Sequence, residues 1–140
     1  MPVWKIECGR RRAAIALLVI AVIVAAFIAV RLRSGSQTSY EGILPCADCS
    51  GLKTELSLYA NGTFYLKETY LATRYGDQAH SSFGQYRKIK DRGRTIVQLN
   101  YDKPEETYNF LVVDNDHLRV LDKKLNEIDT PMNMTLERRG

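Results

Sequence analysis

Two histidines and three cysteines are a small supply of the side chains that most often build metal and catalytic centres in a chain of 140 residues. A tetrahedral zinc site needs four ligands, typically two pairs at similar spacing. Here only one C-x-x-C occurs, Cys46 and Cys49, with no second pair to complete it. No nucleophile, base and acid fall together in any pattern, so no catalytic residue is assigned and an enzyme is not expected. The "DNDH" stretch at 114–117 has neither the glycine nor the bidentate glutamate of a calcium loop. His80 and His117 are isolated from one another and from any partner at ligand spacing. Internal repeats, low-complexity segments and a long amphipathic helical pattern are also lacking.

Charge is unevenly placed. Residues 1–33 carry six basic residues and one acidic, whereas the rest of the chain carries fourteen basic and fifteen acidic. A sequence pI near 9.0 therefore belongs to the N-terminal region and is no nucleic-acid footprint. The later residues have no basic tract that could follow a phosphate backbone.

What the N-terminal region does contain is "AAIALLVIAVIVAAFIAV", residues 13–30, eighteen residues without a polar side chain. As a helix it would rise about 27 Å, close to the thickness of a hydrocarbon core. Lys5, Arg10, Arg11 and Arg12 precede it, and Arg31 and Arg33 follow. That bias predicts a cytoplasmic basic N-terminus over 1–12 and a transmembrane signal-anchor over 13–30. A linker over 31–39 and a domain over 40–140 outside the cytoplasm complete the expected order. A cleaved signal, cut near Val24, Ala25 and Ala26, is the competing reading. The expected location is the bacterial inner membrane, single-pass, with the C-terminal domain in the periplasm. Cys8 precedes the apolar run, so it is no lipidation site and reads as a reduced cytosolic thiol.

From Tyr40 the pattern is strand-like. "TELSLY", "TFYLKETY", "FGQYRKI", "RTIVQLN", "TYNFLVV", "LRVLD" and "NMTLER" alternate or run apolar, with turn residues between them. The first turn can be placed closely. A three-residue loop, Ala60-Asn61-Gly62, pairs Leu58 with Phe64 and Leu56 with Leu66 on one face, with Gly62 left-handed. A two-residue loop would split those side chains between faces. A meander of short antiparallel strands predicts a small up-and-down barrel, since closure removes the sheet edges.

The C-x-x-C is followed by "SGLKTELSL", which alternates like a strand. A thioredoxin-type site needs its motif to open a helix, so catalytic redox chemistry is not expected. Two alternatives stay open. One is a disulfide across a tight loop after Pro45. The other is a copper(I) site, because a soft ion accepts two or three thiolate or thioether ligands. Met132 and Met134, two apart on the last strand, are the candidate further ligands if that strand passes beside the 45–49 loop. Their bland reading is the inward face of a strand. Asp48, between the cysteines, reads as a solvated carboxylate.

The stretch "YEGILPCADCSGLKTELSLYANGTFYLKETYL" resembles the opening of the NlpE family's N-terminal domain. Tyr40, Gly42, Leu44-Pro45-Cys46-Ala47-Asp48-Cys49, Gly51 and Asn61-Gly62-Thr63-Phe64 carry the similarity. Gly84 with Tyr86, "LRVLD" and "MNMTLER" extend it to about 100 residues. The resemblance implies an all-β, lipocalin-like barrel in the envelope, linked to copper homeostasis and envelope stress signalling. It implies that Cys46 and Cys49 form the copper-associated motif, and that partners include an envelope protein. This sequence departs from the family in the expected helical anchor where the family has a lipidated cysteine. It shows no counterpart of the second domain of longer members. Leu125 stands where the resemblance implies glycine. The functions expected are thus a membrane-anchored copper or stress sensor acting through Cys46 and Cys49, or a barrel binding a small apolar ligand or a protein partner, with the cysteines as a structural clip.

Overall fold

Alternation of apolar and polar residues, broken at intervals by short turns, dictates the architecture from Gln37 onward. The computed structural model describes residues 5–33 and 36–140. It contains eight strands: β1 Gln37–Leu44, β2 Gly51–Tyr59, β3 Thr63–Thr73, β4 Gly76–Asp91, β5 Arg94–Leu99, β6 Tyr108–Val112, β7 His117–Leu121 and β8 Thr135–Arg139. Each pairs antiparallel with the next, and β8 returns to pair with β1 through Tyr40 and Arg138. The closed, all-β up-and-down barrel expected from the meander is the observed fold. β1 begins at Gln37 and so takes in residues read from the sequence as linker.

The first hairpin has the expected register. Leu58 faces Phe64 and Leu56 faces Leu66 across the turn. Gly62 has φ +85°, and its N–H donates to the Tyr59 carbonyl at 3.0 Å. The Asn61 side-chain oxygen accepts from the Thr63 N–H at 3.1 Å and from its hydroxyl at 2.7 Å. Those four apolar side chains join Tyr40, Val97, Leu99, Phe110, Leu118 and Leu136 in one buried cluster. Full burial of each Leu or Phe contributes about 1.5–3 kcal/mol. The barrel interior is therefore filled by its own side chains.

A smaller apolar layer lies on the outside. Ile96 and Leu121 alternate to the outer face, yet are 0% and 5% exposed. The segment after β7 folds back over them. Arg94 Nη2 donates to the Leu125 carbonyl at 2.8 Å, and Asn109 Nδ2 to the Asp122 carbonyl at 3.3 Å. Within that segment Leu125 adopts φ +65°, and its N–H donates to the Asp122 carbonyl at 3.1 Å. The position where the resemblance implies glycine is thus left-handed here, with leucine in it.

β4 differs from its sequence reading. The alternating pattern marks 83–89, but the strand runs sixteen residues, Gly76–Asp91. Its first six residues are exposed on both faces, so no hydrophobic period betrays them. Hairpin pairing with β3 forms it instead.

The chain divides into two units, Met1–Gly35 and Ser36–Gly140. In the first, α1 Lys5–Arg33 is helical, as its Ala and Leu content favours. The transmembrane helix expected over 13–30 is corrected. No helix among the described residues is long and apolar enough to cross a membrane. The single-pass inner-membrane location loses its support as well. The side chain of Cys8, and parts of the stretches read as cytoplasmic terminus and linker, lie outside the described residues.

Candidate functional site at the mouth of the barrel

In a meander, alternate connections share one end of the barrel. The β1–β2, β3–β4 and β5–β6 connections therefore gather at one mouth, and with them most of the polar side chains of interest.

Cys46 and Cys49 sit on the β1–β2 connection and form a disulfide, their Cα atoms 5.4 Å apart. Of the two open readings of the C-x-x-C, the bonded one is what the structure holds. Pairing of Leu44 with Leu52 closes the base of this loop. The Ser50 N–H donates to the Leu71 carbonyl at 3.0 Å, which ties the loop to β3. The Cys49 sulfur lies 3.2 Å from the Gly51 carbonyl. Only a reduced thiol has a hydrogen to donate there. Both cysteines are half-buried and line a cleft of about 640 Å³ with Ala47, Asp48, Tyr70, Thr73, Arg74 and Tyr75.

A second cleft of about 490 Å³ lies between β4 and the β5–β6 connection. Its floor comes from inward-facing positions. Glu68 pairs with Thr54 on one side and His80 on the other. The Tyr108 hydroxyl donates to Glu68 Oε2 at 3.3 Å. Loss of solvent raises the Glu68 carboxyl above its ordinary value, against the lowering effects of the Tyr108 hydrogen bond and of His80. Burial, then the neighbouring Glu68 charge, pushes the Tyr108 hydroxyl up to about 12. Glu105, Glu106 and Lys123 complete the charged lining. The two clefts meet where the Tyr70 ring contacts His80 edge-on, centroids 5.8 Å apart.

The other sequence candidates are dispersed. Met132 is exposed, and neither it nor Met134 lines the disulfide cleft. His117 opens β7 beside the β6–β7 connection, at the far end of the barrel, where its Nδ1 lies 2.8 Å from Asp114. That hydrogen bond raises the His117 pKa and helps hold Asp114 low. Among the described residues no group of three or more His, Cys, Asp or Glu could hold a metal ion. What the sequence reading missed is the trio Glu68, His80 and Tyr108. Glu68 carried one signal: a carboxylate on the face that Phe64 and Leu66 mark as inward.

Comparison with known proteins agrees with this geometry. The model of the NlpE N-terminal domain matches residues 40–131. The chain is 35% identical over 99 residues to Lipoprotein NlpE of Escherichia coli K12, covering 71% of this chain and 39% of that protein. It thus spans about two fifths of that relative's length. The crystal structure of a candidate lipoprotein from Shewanella oneidensis superposes with TM-score 0.58 at 28% identity, over 73% of this chain and 87% of the other. That of the Cpx pathway activator NlpE from Escherichia coli gives 0.56 at 33%, over 71% and 48%.

Proposed function

The chain belongs to the NlpE N-terminal domain family, and on that premise we propose that it is an envelope sensor whose responsive element is the Cys46–Cys49 pair. It senses and binds, and no catalytic step is assigned to it. The relatives are a lipoprotein and an activator of the Cpx pathway. Membrane association and action on a signalling pathway are carried over from them, while an envelope location and a response to copper or redox stress come from the family resemblance; both are part of this reading.

The observation that supports it is the position of the disulfide. It closes only a short surface loop at an open cleft, apart from the buried cluster. Crosslinking four residues restricts the unfolded chain by about 2 kcal/mol. Reduction by an envelope dithiol, two electrons and two protons, therefore leaves a folded barrel with two thiols on one loop. Two thiolates suit copper(I), a soft ion content with low coordination, and leave a zinc site half filled. Burial of Phe64 and Phe110 in the interior gives the alternative of a deep apolar ligand no comparable support.

The test is a titration of the reduced protein with copper(I) against a competing chelator, beside the Cys46→Ser/Cys49→Ser variant. Tighter binding by the parent supports the reading. Equal binding by both removes the motif from copper sensing.

A further inference from the structure

β4 is longer than the barrel needs. Its ladder with β5 starts only at Tyr86 and Leu99, whereas its ladder with β3 continues back to Gly76. Residues 76–84 therefore have a strand neighbour on one side alone. Two bonds tell which backbone groups are left over. The Tyr86 N–H donates toward β3, to the Gly62 carbonyl at 2.9 Å, and the Gln85 carbonyl accepts from the other side, from the Asn100 N–H at 2.9 Å. The two backbone groups of one residue in an antiparallel strand share a side, and that side alternates. Asp77, Ala79, Ser81 and Phe83 thus turn their N–H and C=O groups to the vacant side.

Natural edges are usually blunted by lysine, proline or a bulge. "DQAHSSF", residues 77–83, has neither lysine nor proline, and its register with β3 is unbroken from Gln78 to Gln85, shifting only at the Asp77 end, between Tyr70 and Thr73. The vacant side opens onto the cleft of Glu68, Glu105 and Glu106. Two lysines are near: Lys123 lines the cleft, and Lys103 Nζ lies 3.5 Å from Glu106. Three carboxylates still outnumber them; the Asp77 carboxylate is taken up by the Ala72 N–H at 2.8 Å. On the outer face Phe83 is 84% exposed and stands opposite Tyr65.

We propose that the free edge of β4 from Asp77 to Phe83 receives an extended basic segment of a partner protein as an added strand. Its backbone bonds to Asp77, Ala79, Ser81 and Phe83. A lysine or arginine side chain on its inner face enters the cleft of Glu68, Glu105 and Glu106. An added strand lies about 4.8 Å from its neighbour and sends alternate side chains to opposite faces. The inner ones meet carboxylates, and the outer ones meet Phe83 and Tyr65. This surface does not depend on the redox state of Cys46 and Cys49.

The probe is a dye-labelled, end-blocked peptide of about ten residues alternating threonine and lysine, long enough to span the edge, titrated onto the full chain. Ala79→Pro deletes one edge N–H, and proline is tolerated at such a position. It should weaken binding about tenfold or more, while Ala79→Val binds like the parent. Glu105→Gln with Glu106→Gln should weaken it too and flatten its salt dependence. A peptide with glutamate for lysine should not bind. Amide exchange on the parent supplies a readout that needs no variant: the lysine peptide should protect the Ala79 and Ser81 N–H groups. Equal binding by Ala79→Pro, absent protection at Ala79 and Ser81, or no binding by the parent at low salt each overturns the proposal.

Discussion

The Tyr108 hydroxyl donates to the Glu68 carboxylate at 3.3 Å, tying β6 to β3 across the barrel mouth. The bond favours the charged carboxylate, yet burial outweighs it and the Glu68 pKa is raised. A carboxyl with a raised folded-state pKa contributes stability that is full below its unfolded pKa and is lost as pH rises through the folded one. Glu68→Gln should therefore melt higher than the parent at neutral pH. The gap should close below about pH 4, where both forms are neutral. Thermal melts across pH check this; a variant that melts lower at neutral pH would show that the Tyr108 bond outweighs burial.

Gly62 holds φ +85° at the turn that aligns Leu58 with Phe64. A β-branched side chain is penalised in that conformation, so Gly62→Val should destabilise the barrel by about 1 kcal/mol or more. An unchanged midpoint in chemical denaturation would contradict the turn.

Leu125 bears the same kind of strain with a side chain attached, at φ +65°. Leu125→Gly relieves it and should raise stability by up to about 1 kcal/mol. A loss of that size in the same denaturation assay would mean that packing of the half-buried leucine matters more than its backbone.

The disulfide loop is short, and the buried cluster does not include it. Reduction, or Cys46→Ser with Cys49→Ser, should cost at most about 2 kcal/mol and leave the strand content intact. Circular dichroism of the reduced protein measures this. Loss of the strand signal on reduction would make the pair a structural clip and count against a sensing role.

Much of the barrel was legible because its signals are local. The alternation in 54–59 and 63–70, with a three-residue turn between, left one register that unites Leu56, Leu58, Phe64 and Leu66. The strand-like sequence after Cys49 likewise argued against a thioredoxin-type helix, and β2 starts at Gly51. The apolar run at 13–30 was local too and does form helix, but composition alone over-read it as a membrane span.

Tertiary structure decided the rest. Closure through Tyr40 and Arg138 joins segments about a hundred residues apart, and no local period encodes that pairing. The same closure brings Glu68, His80 and Tyr108 from three strands to one mouth, while leaving Met132 and Met134 off the disulfide cleft. The first half of β4 is the clearest case. A strand shows a period of two only when one face is buried, and residues 76–81 are exposed on both. Pairing with β3 alone makes them a strand, and the absence of β5 beside them makes them an edge.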